Sequence, residues 1–265
     1  MMTAQVWLPR TQIVEQEWHI QSLHPDLAGL RMVQISDLHL GPALSRLTIQ
    51  QWVEMLQGIR ADVLLVTGDV IDSANWSLTL FDILMNSVRG RFPLGMYAVA
   101  GNHDWYDDIE EWTQKVTSTG CTVLRDSHVV LSRGKGRLQV AGLEYPQDKR
   151  GEERMQAAAA SFRSLEQRLD PQIPLVLLNH HPSDFSFLQN QGVDLILSGH
   201  THGGQIEIAG WNVLRALPDR YPYYSGAYFS DSPRGRCKLY VNRGLGHSIP
   251  VRSGVSPEIT IHVLR

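Results

Sequence analysis

An α/β fold is predicted, and three observations carry the prediction. Short apolar runs recur along the chain: RMVQIS (31–36), DVLLVTGD (62–69), IPLVLLNHHP (173–182) and VDLILSGHTHGGQ (193–205). Segments with apolar residues at helical spacing alternate with them, and turn residues close each run. The 265 residues, 43% hydrophobic and 19% charged, suffice for a sizeable core. One domain covering residues 1–265 is the expected organisation.

Each element follows from its local pattern. TQIVEQEWHI (11–20) alternates loosely as a strand does, and HPDLAGL after it reads as a turn. RMVQIS is a strand running into DLHLGP. In SRLTIQQWVEMLQGIR (45–60), Leu47, Trp52, Val53, Leu56 and Ile59 fall near helical spacing, with Ser45 as N-cap. DVLLVTGD is an apolar strand ending in Gly-Asp, and WSLTLFDILMNSV (76–88) is helical. MYAVAGNHDW (96–105) is a strand that runs into Gly-Asn-His-Asp, and IEEWTQKVTSTG (109–120) a helix closed by glycine. CTVLRD, HVVLSRG and RLQVAGLE (121–144) are consecutive short strands. EERMQAAAASFRSLEQRL (152–169) consists of strong helix formers. The strand of 173–182 ends in two histidines, FSFLQNQG (185–192) is a helical turn, and the strand of 193–205 follows. QIEIAG, KLYVN and EITIHVLR supply strands to the tail. Prolines and glycines interrupt WNVLRALPDRYPYYSGAYF (211–229), which is expected to form an aromatic lip at a substrate site.

Bulk properties exclude several classes. The formal net charge of −3 and the lack of a basic stripe weigh against nucleic acid as a partner. Cys121 and Cys237 are far apart and form no CxxC pair, which indicates neither a disulfide framework nor a thiolate metal site. No apolar stretch is long enough to span a bilayer. MMTAQVWLPRTQIVEQEW has no basic segment followed by an apolar one, so no leader is read there. The doubled methionine leaves room for a leader already removed. A cytoplasmic location is expected, with peripheral membrane contact allowed.

The placement of the histidines matters more than their number. Five expected strands end in residues that bind metals: Asp37 and His39, Asp69, Asn102 and His103, His180 and His181, His200 and His202. Ligand sites in α/β sheets gather beyond the carboxyl ends of strands. Any one of these short stretches alone is a turn or a helix cap. Five together, each at a strand end, describe a cage. Alternation in an extended segment would place His200 and His202 on the same side, and would turn His181 away from the cage. Oxygen and imidazole donors without thiolate favour Mn²⁺, Fe or Zn²⁺ over Ca²⁺, with Mn²⁺ the first expectation.

DLH (37–39), GD (68–69), GNHD (101–104), HHP (180–182) and GHTH (199–202) resemble, in order, the motifs of the calcineurin-like metallophosphoesterase superfamily. The resemblance covers roughly residues 31–205. The tail NRGLGHSIPVRSGVSPEITIHVL (242–264) is similar to that of a bacterial branch of phosphodiesterases typified by YkuE and YaeI. That branch includes lipid-A-pathway UDP-diacylglucosamine hydrolases. Its members usually carry an N-terminal membrane segment or export signal, which this sequence does not display.

The resemblance implies a four-layer α/β/β/α sandwich with a dimetal site at the strand ends. It implies that Asp37, His39 and His202 bind one divalent ion, that Asn102, His180 and His200 bind the other, and that Asp69 bridges them. It further implies hydrolysis of phosphodiester or pyrophosphate bonds by a hydroxide activated between the ions. His103 would contact the phosphate and assist the leaving group. Asp104 is either the carboxylate that orients His103 or an N-cap. The expected substrate is a small-molecule or lipid-like phosphate ester, with a nucleotide or nucleic-acid diester as the alternative. A noncatalytic scaffold of the same fold is the rival from another class, yet every position the cage requires is filled here.

The remaining residues carry weaker expectations. Asp72 in GDVID is a cap or an outer partner, not a ligand. His19, His24 and His128 belong to the surface, and His262 packs on a terminal strand. His247 is a candidate substrate contact. Arg243 and Arg252, which flank it, are either a solvated pair or phosphate contacts. Tyrosines together with Arg215, Arg220, Arg234 and Arg236 would suit an amphiphilic phosphate ester.

Overall fold

Successive side chains of a strand point to opposite faces, so the continuously apolar central strands bury both, and the fold follows from what covers each. In this computed structural model the described residues are 9–41, 44, 46–72, 77–106, 108–232, 235–249 and 251–265. The expected N-cap Ser45, together with Trp76 and Arg234, lies outside them.

The first half of the chain runs β1 (Gln12–Trp18), β2 (Arg31–Ile35), α1 (Arg46–Gly58), β3 (Val63–Thr67), α2 (Ser77–Val88), β4 (Met96–Val99), α3 (Ile109–Ser118) and β5 (Thr122–Val123). Then come β6 (Ser127–Arg133), β7 (Gly136–Gly142), α4 (Gly151–Glu166), β8 (Leu175–Leu178), α5 (Phe185–Leu188) and β9 (Leu195–Ser198). The last part holds β10 (Glu207–Ile208), β11 (Trp211–Asn212), β12 (Gly226–Ser232), β13 (Gly235–Val241) and β14 (Glu258–Leu264).

Two six-stranded sheets result, in the orders β1-β14-β2-β3-β4-β5 and β12-β13-β9-β8-β7-β6, and β10 and β11 form a separate hairpin. Strands β2 to β5 are parallel, as are β7, β8, β9 and β13. The carboxyl ends of β2, β3, β4, β8 and β9 therefore meet along one edge.

Alternation sorts the side chains into three cores. Val63 and Leu65 of β3 join Val140, Val176, Leu178, Leu195 and Leu197 between the sheets. Leu64 and Val66 face the other way, against Trp52, Leu56, Phe81, Leu84 and Trp112 of the first three helices. Beyond the second sheet, Leu175, Leu177 and Ile196 pack against Phe162, Leu165, Phe185 and Leu188. Helices thus cover both outer faces, which gives the α/β/β/α layering. Each fully buried aliphatic side chain stabilises by roughly 1.5–3 kcal/mol, so the central strands contribute on both faces.

A buried polar chain fixes the sheets to one another. Trp18 Nε1 donates to His262 Nδ1 (2.9 Å), and His262 Nε2 lies 3.0 Å from Gln34 Oε1. Gln34 Nε2 then donates to Thr67 Oγ1 (2.8 Å) in its own sheet and to Ser198 O (3.0 Å) in the other. The link ends one residue short of GHTH, so it sets the separation of strand ends that must share a site.

Two departures from the sequence reading have clear causes. Residues 226–229, expected to belong to the lip, lie instead in β12, whose backbone pairs with β13 in a register running from Gly226↔Val241 to Ser232↔Gly235. Of the expected lip, residues 213–225 stay outside the sheets. Helix α4 also stops at Glu166, before the expected 169. No helix among the described residues is long and apolar enough to cross a membrane.

Candidate metal centre

The strand ends are brought together by backbone that only small residues permit. A Cβ at Gly199 would fall 2.0 Å from Ser36 Oγ and 2.2 Å from Asp37 Oδ2, and one at Gly101 would fall 2.2 Å from Asp69 Oδ1. Five of the expected donors leave their strands in the left-handed region: Asp37 (φ 49°), His39 (43°), Asp69 (51°), His200 (73°) and His202 (52°). Residues with side chains seldom adopt this conformation, and such strain clusters at functional sites. The alternation argument for His200 and His202 fails for this reason. GHTH is coiled, with a right-handed Thr201 (φ −87°, ψ −14°) between the two histidines, and their rings reach different partners.

The donors converge as two sets. In one, His39 Nε2 and His202 Nε2 are 3.0 Å apart, and Asp37 Oδ1 lies 3.5 Å from His202 Nε2. In the other, Asn102 Oδ1 lies 2.9 Å from His200 Nδ1 and 3.2 Å from His180 Nε2, which are themselves 3.3 Å apart. Asp69 Oδ2 stands between the sets, 3.6 Å from His39 Nε2 and 3.3 Å from His180 Nε2.

Outer contacts aim these atoms. His180 Nδ1 donates to Thr67 O (2.8 Å), which directs Nε2 inward. Both Asp37 oxygens accept from His200 N (2.9 and 3.0 Å). Arg252 Nη2 has two hydrogens, and its shortest bonds, to Gly246 O (2.6 Å) and Arg243 O (2.7 Å), use both. Its 3.1 Å approach to His202 Nδ1 is therefore packing that positions the ring.

Asp37 and Asp69 are 0% and 2% exposed, and among the described residues no lysine or arginine pairs with either. An uncompensated buried charge costs several kcal/mol. Burial pushes the Asp37 carboxyl up, whereas Asp69 is held well below the usual range because His180 and His39 outweigh its burial. Burial opposes charge on His180, but Asp69 and Asp37 raise it to about 9. Burial, aided by His180, drives His200 down to about 3, and His202 is lowered by burial, His39 and Arg252.

Bound cations would relieve this imbalance. Atoms of Asp37, His39 and His202, of His39, Asp69 and His103, and of Asp69, His180 and His200 lie within 4.8 Å of one another in each group. His39 Nδ1 is buried with no hydrogen-bond partner among the described residues; Asp72 Oδ1 is 3.4 Å away, out of alignment. Carboxylate, amide and imidazole donors without thiolate suit divalent transition ions, and the residues fit two of them.

The cleft above the donors, about 300 Å³, is lined by His39, Asp69, Asn102, His103, His200 and His202 together with Gln205, Tyr221 and Ile249. The His103 ring stands edge-on to His39 (4.5 Å between centroids, 87°), with Nδ1 3.5 Å from Asp72 Oδ1. Asp72 thus occupies the place expected of Asp104.

Asp104 is neither partner to His103 nor the N-cap of the next helix. It is fully buried and accepts from Val70 N (2.9 Å), Ile71 N (3.2 Å) and Gly101 N (2.8 Å), tying together the loops after β3 and β4. Burial, with Asp69, raises it to about 7. Asp108 caps α3 instead, accepting from Glu110 N and Glu111 N.

Arg243, His247 and Arg252 do not line the cleft. Arg243 is bound to Glu258, Arg252 is buried under backbone carbonyls, and His247 is buried with Nε2 unpartnered among the described residues. His181 keeps Nδ1 on Ser183 Oγ (2.8 Å), and its ring lies 4.2 Å from that of His200. Sequence reasoning missed Gln205 and Tyr145. Tyr145 follows the end of β7 at the same sheet edge, so the strand-end rule could have found it; its ring is 6.0 Å from that of His180.

Comparison with known proteins agrees with this geometry. Residues 30–204 match the family described as calcineurin-like phosphoesterase. The chain is 31% identical over 264 residues to a "Transmembrane protein with metallophosphoesterase domain" of Danio rerio, covering 96% of this chain and 57% of that protein. It therefore spans little more than half of that relative's length. It is 28% identical over 240 residues to the "Uncharacterized metallophosphoesterase YkuE" of Bacillus subtilis (89% and 79% covered). It is 25% identical over 296 residues to the "UDP-2,3-diacylglucosamine pyrophosphatase LpxG" of Chlamydia muridarum (94% and 88% covered). The crystal structure of TT1561 of Thermus thermophilus shares the fold, with a TM-score of 0.51 at 14% identity, over 82% of this chain and 90% of that one. With its strand-end donors, its paired sheets and this match over most of its length, the chain belongs to the calcineurin-like phosphoesterase family.

Proposed function

We propose that the chain is a phosphoric ester hydrolase that cleaves phosphodiester or pyrophosphate bonds with two divalent ions, Mn²⁺ before Fe or Zn²⁺. The observation that supports this most is Asp69, a carboxylate placed between two convergent donor sets. Asp37, His39 and His202 would hold one ion, and Asn102, His180 and His200 the other. When bound, such ions polarise phosphoryl oxygens and make water a competent nucleophile near neutral pH.

The chain's own residues supply the rest. Thr67 and Asp72 hold the rings of His180 and His103 in place, and the coiled GHTH turn presents His200 and His202. His103, at the cleft and 3.5 Å from Asp72, would give a proton to the departing oxygen.

An apolar arm on the substrate is favoured by the rim. Ile208 (66% exposed), Trp211 (57%), Leu217, Ile249 and Val251 stand in solvent on segments near the cleft, and Ile249 lines it. Such exposed apolar groups suit an amphiphilic ester or one presented at a membrane surface. LpxG is named for a lipid-linked pyrophosphate, which agrees with this reading.

A screen of the Mn²⁺-loaded chain tests it. Bis-p-nitrophenyl phosphate, UDP-diacylglucosamine, glycerophosphodiesters and cyclic nucleotides should exceed small phosphomonoesters in kcat/KM. If monoesters prove best, the substrate class is wrong. If no ester turns over while two metals are bound, the hydrolase reading fails.

A further inference from the structure

A second cavity, about 700 Å³, opens beside the cleft and shares His200 and Tyr221 with it. Its remaining walls include Tyr145, Lys149, Arg150, Arg154 and Arg220. Tyr145 and His181, both in this cavity, touch the rings of His180 and His200 at 6.0 and 4.2 Å between centroids. The cavity therefore abuts the donor cluster, with the His200 ring in its wall.

Its charge is uneven. Arg154, 4% exposed, is fixed by Asp184 Oδ2 (2.8 Å) and Ser183 Oγ (2.7 Å). Lys149, Arg150 and Arg220 are exposed and make no ion pair among the described residues, and the Arg220 guanidinium sits 5.4 Å from the Tyr221 ring centroid. Glu152 and Asp219 are the carboxylates of the lining, so with Arg154 balanced by Asp184 three cations face two anions. Scattered surface lysines and arginines are ordinarily just solvated. Here they converge on a concavity with a buried arginine and aromatic walls, next to the cluster. None of these cations lines the cleft, so they are placed for a group other than a phosphate held at the donors.

We propose that this cavity binds a second phosphate of the substrate, which makes the preferred substrate a diphosphate with an aromatic or apolar portion, not a simple diester. The proposal rests on the hydrolase reading of the neighbouring cluster. Guanidinium forks and a net positive concavity are what hold such a group.

Calorimetric titration of the full chain, loaded with Mn²⁺ and desalted, tests it with two probes, AMP and the nonhydrolysable α,β-methylene-ADP. The second should bind about tenfold tighter than the first in the unmodified chain, the equivalent of one charge-assisted contact. The triple variant Lys149→Gln, Arg150→Gln, Arg220→Gln should bring that ratio close to one. Unchanged metal content and thermal midpoint would show that the variant is intact. Arg154 is left alone because its loss would strand Asp184. A ratio near one in the unmodified chain overturns the proposal. So does a ratio that survives the substitutions, since chelation by the ions would then explain it. If no ester is turned over yet the ratio is large and sensitive to the substitutions, the diphosphate cavity stands and the hydrolase reading falls.

Discussion

His103 is the side chain whose role the geometry leaves most sharply testable, because it lines the cleft yet also converges with His39 and Asp69. As a proton donor it is dispensable for metal binding. His103→Ala should then retain both metals and lose ~10²–10⁴-fold in kcat, the usual range for a positioned acid. The loss should shrink for p-nitrophenolate, which needs little help to leave. Equal losses for good and poor leaving groups would indicate phosphate positioning, and loss of metal would make it a ligand. The donors themselves were legible in the sequence, since Asp, Asn and His at five strand ends allow few other readings. Their outer partners were not. Asp104 is the neighbour of His103 in sequence, but Asp72, thirty-one residues earlier, is its neighbour in space. The left-handed turns after β2 and β3 redirect the chain there, and no local pattern announces them.

At the scale of elements, strand ends work because glycine lets them touch. Gly199→Ala would drive a methyl into Ser36 Oγ and Asp37 Oδ2, so it should lower metal content and turnover while far-ultraviolet circular dichroism stays native. Full metal content in that variant would show that the ends are looser than drawn. A second prediction concerns the polar link through His262, a residue that burial pushes down to about 3 from its ordinary 6.5. As pH falls below 6.5 the unfolded chain takes up this proton first. Stability is therefore lost between about pH 6.5 and 3, by at most ~1.4 kcal/mol per pH unit from this group, and no further below. Denaturant unfolding at pH 7 and 5 should show the fall, with a shallower slope for His262→Gln. A slope the substitution does not change would mean that the ring is solvated. Strands and helices were legible from period alone, and the miss at β12 is instructive. Its partner β13 supplies the register, whereas Gly226 and the tyrosines before it look like loop when read singly.

For the whole molecule, the donors divide between the sheets: Asp37, His39, Asp69 and Asn102 follow strands of one, and His180, His200 and His202 follow strands of the other. Neither sheet holds a complete set, so bound ions should clamp the two together. Chelation ought to lower the thermal midpoint and Mn²⁺ to restore it; a ligand at a hundred times its Kd stabilises by about 2.7 kcal/mol. Periodicity could not disclose which strands share a sheet, and the layering was visible in the sequence only through the family resemblance. The most direct test of the bridged two-metal site is metal stoichiometry by elemental analysis, after Mn²⁺ loading and desalting, read beside turnover of bis-p-nitrophenyl phosphate. Two ions per unmodified chain are expected, with metal lost from both positions and turnover abolished in Asp69→Ala, and mainly one ion lost in His39→Ala. An unmodified chain without stoichiometric metal, or an Asp69→Ala chain with two metals and normal turnover, would contradict it.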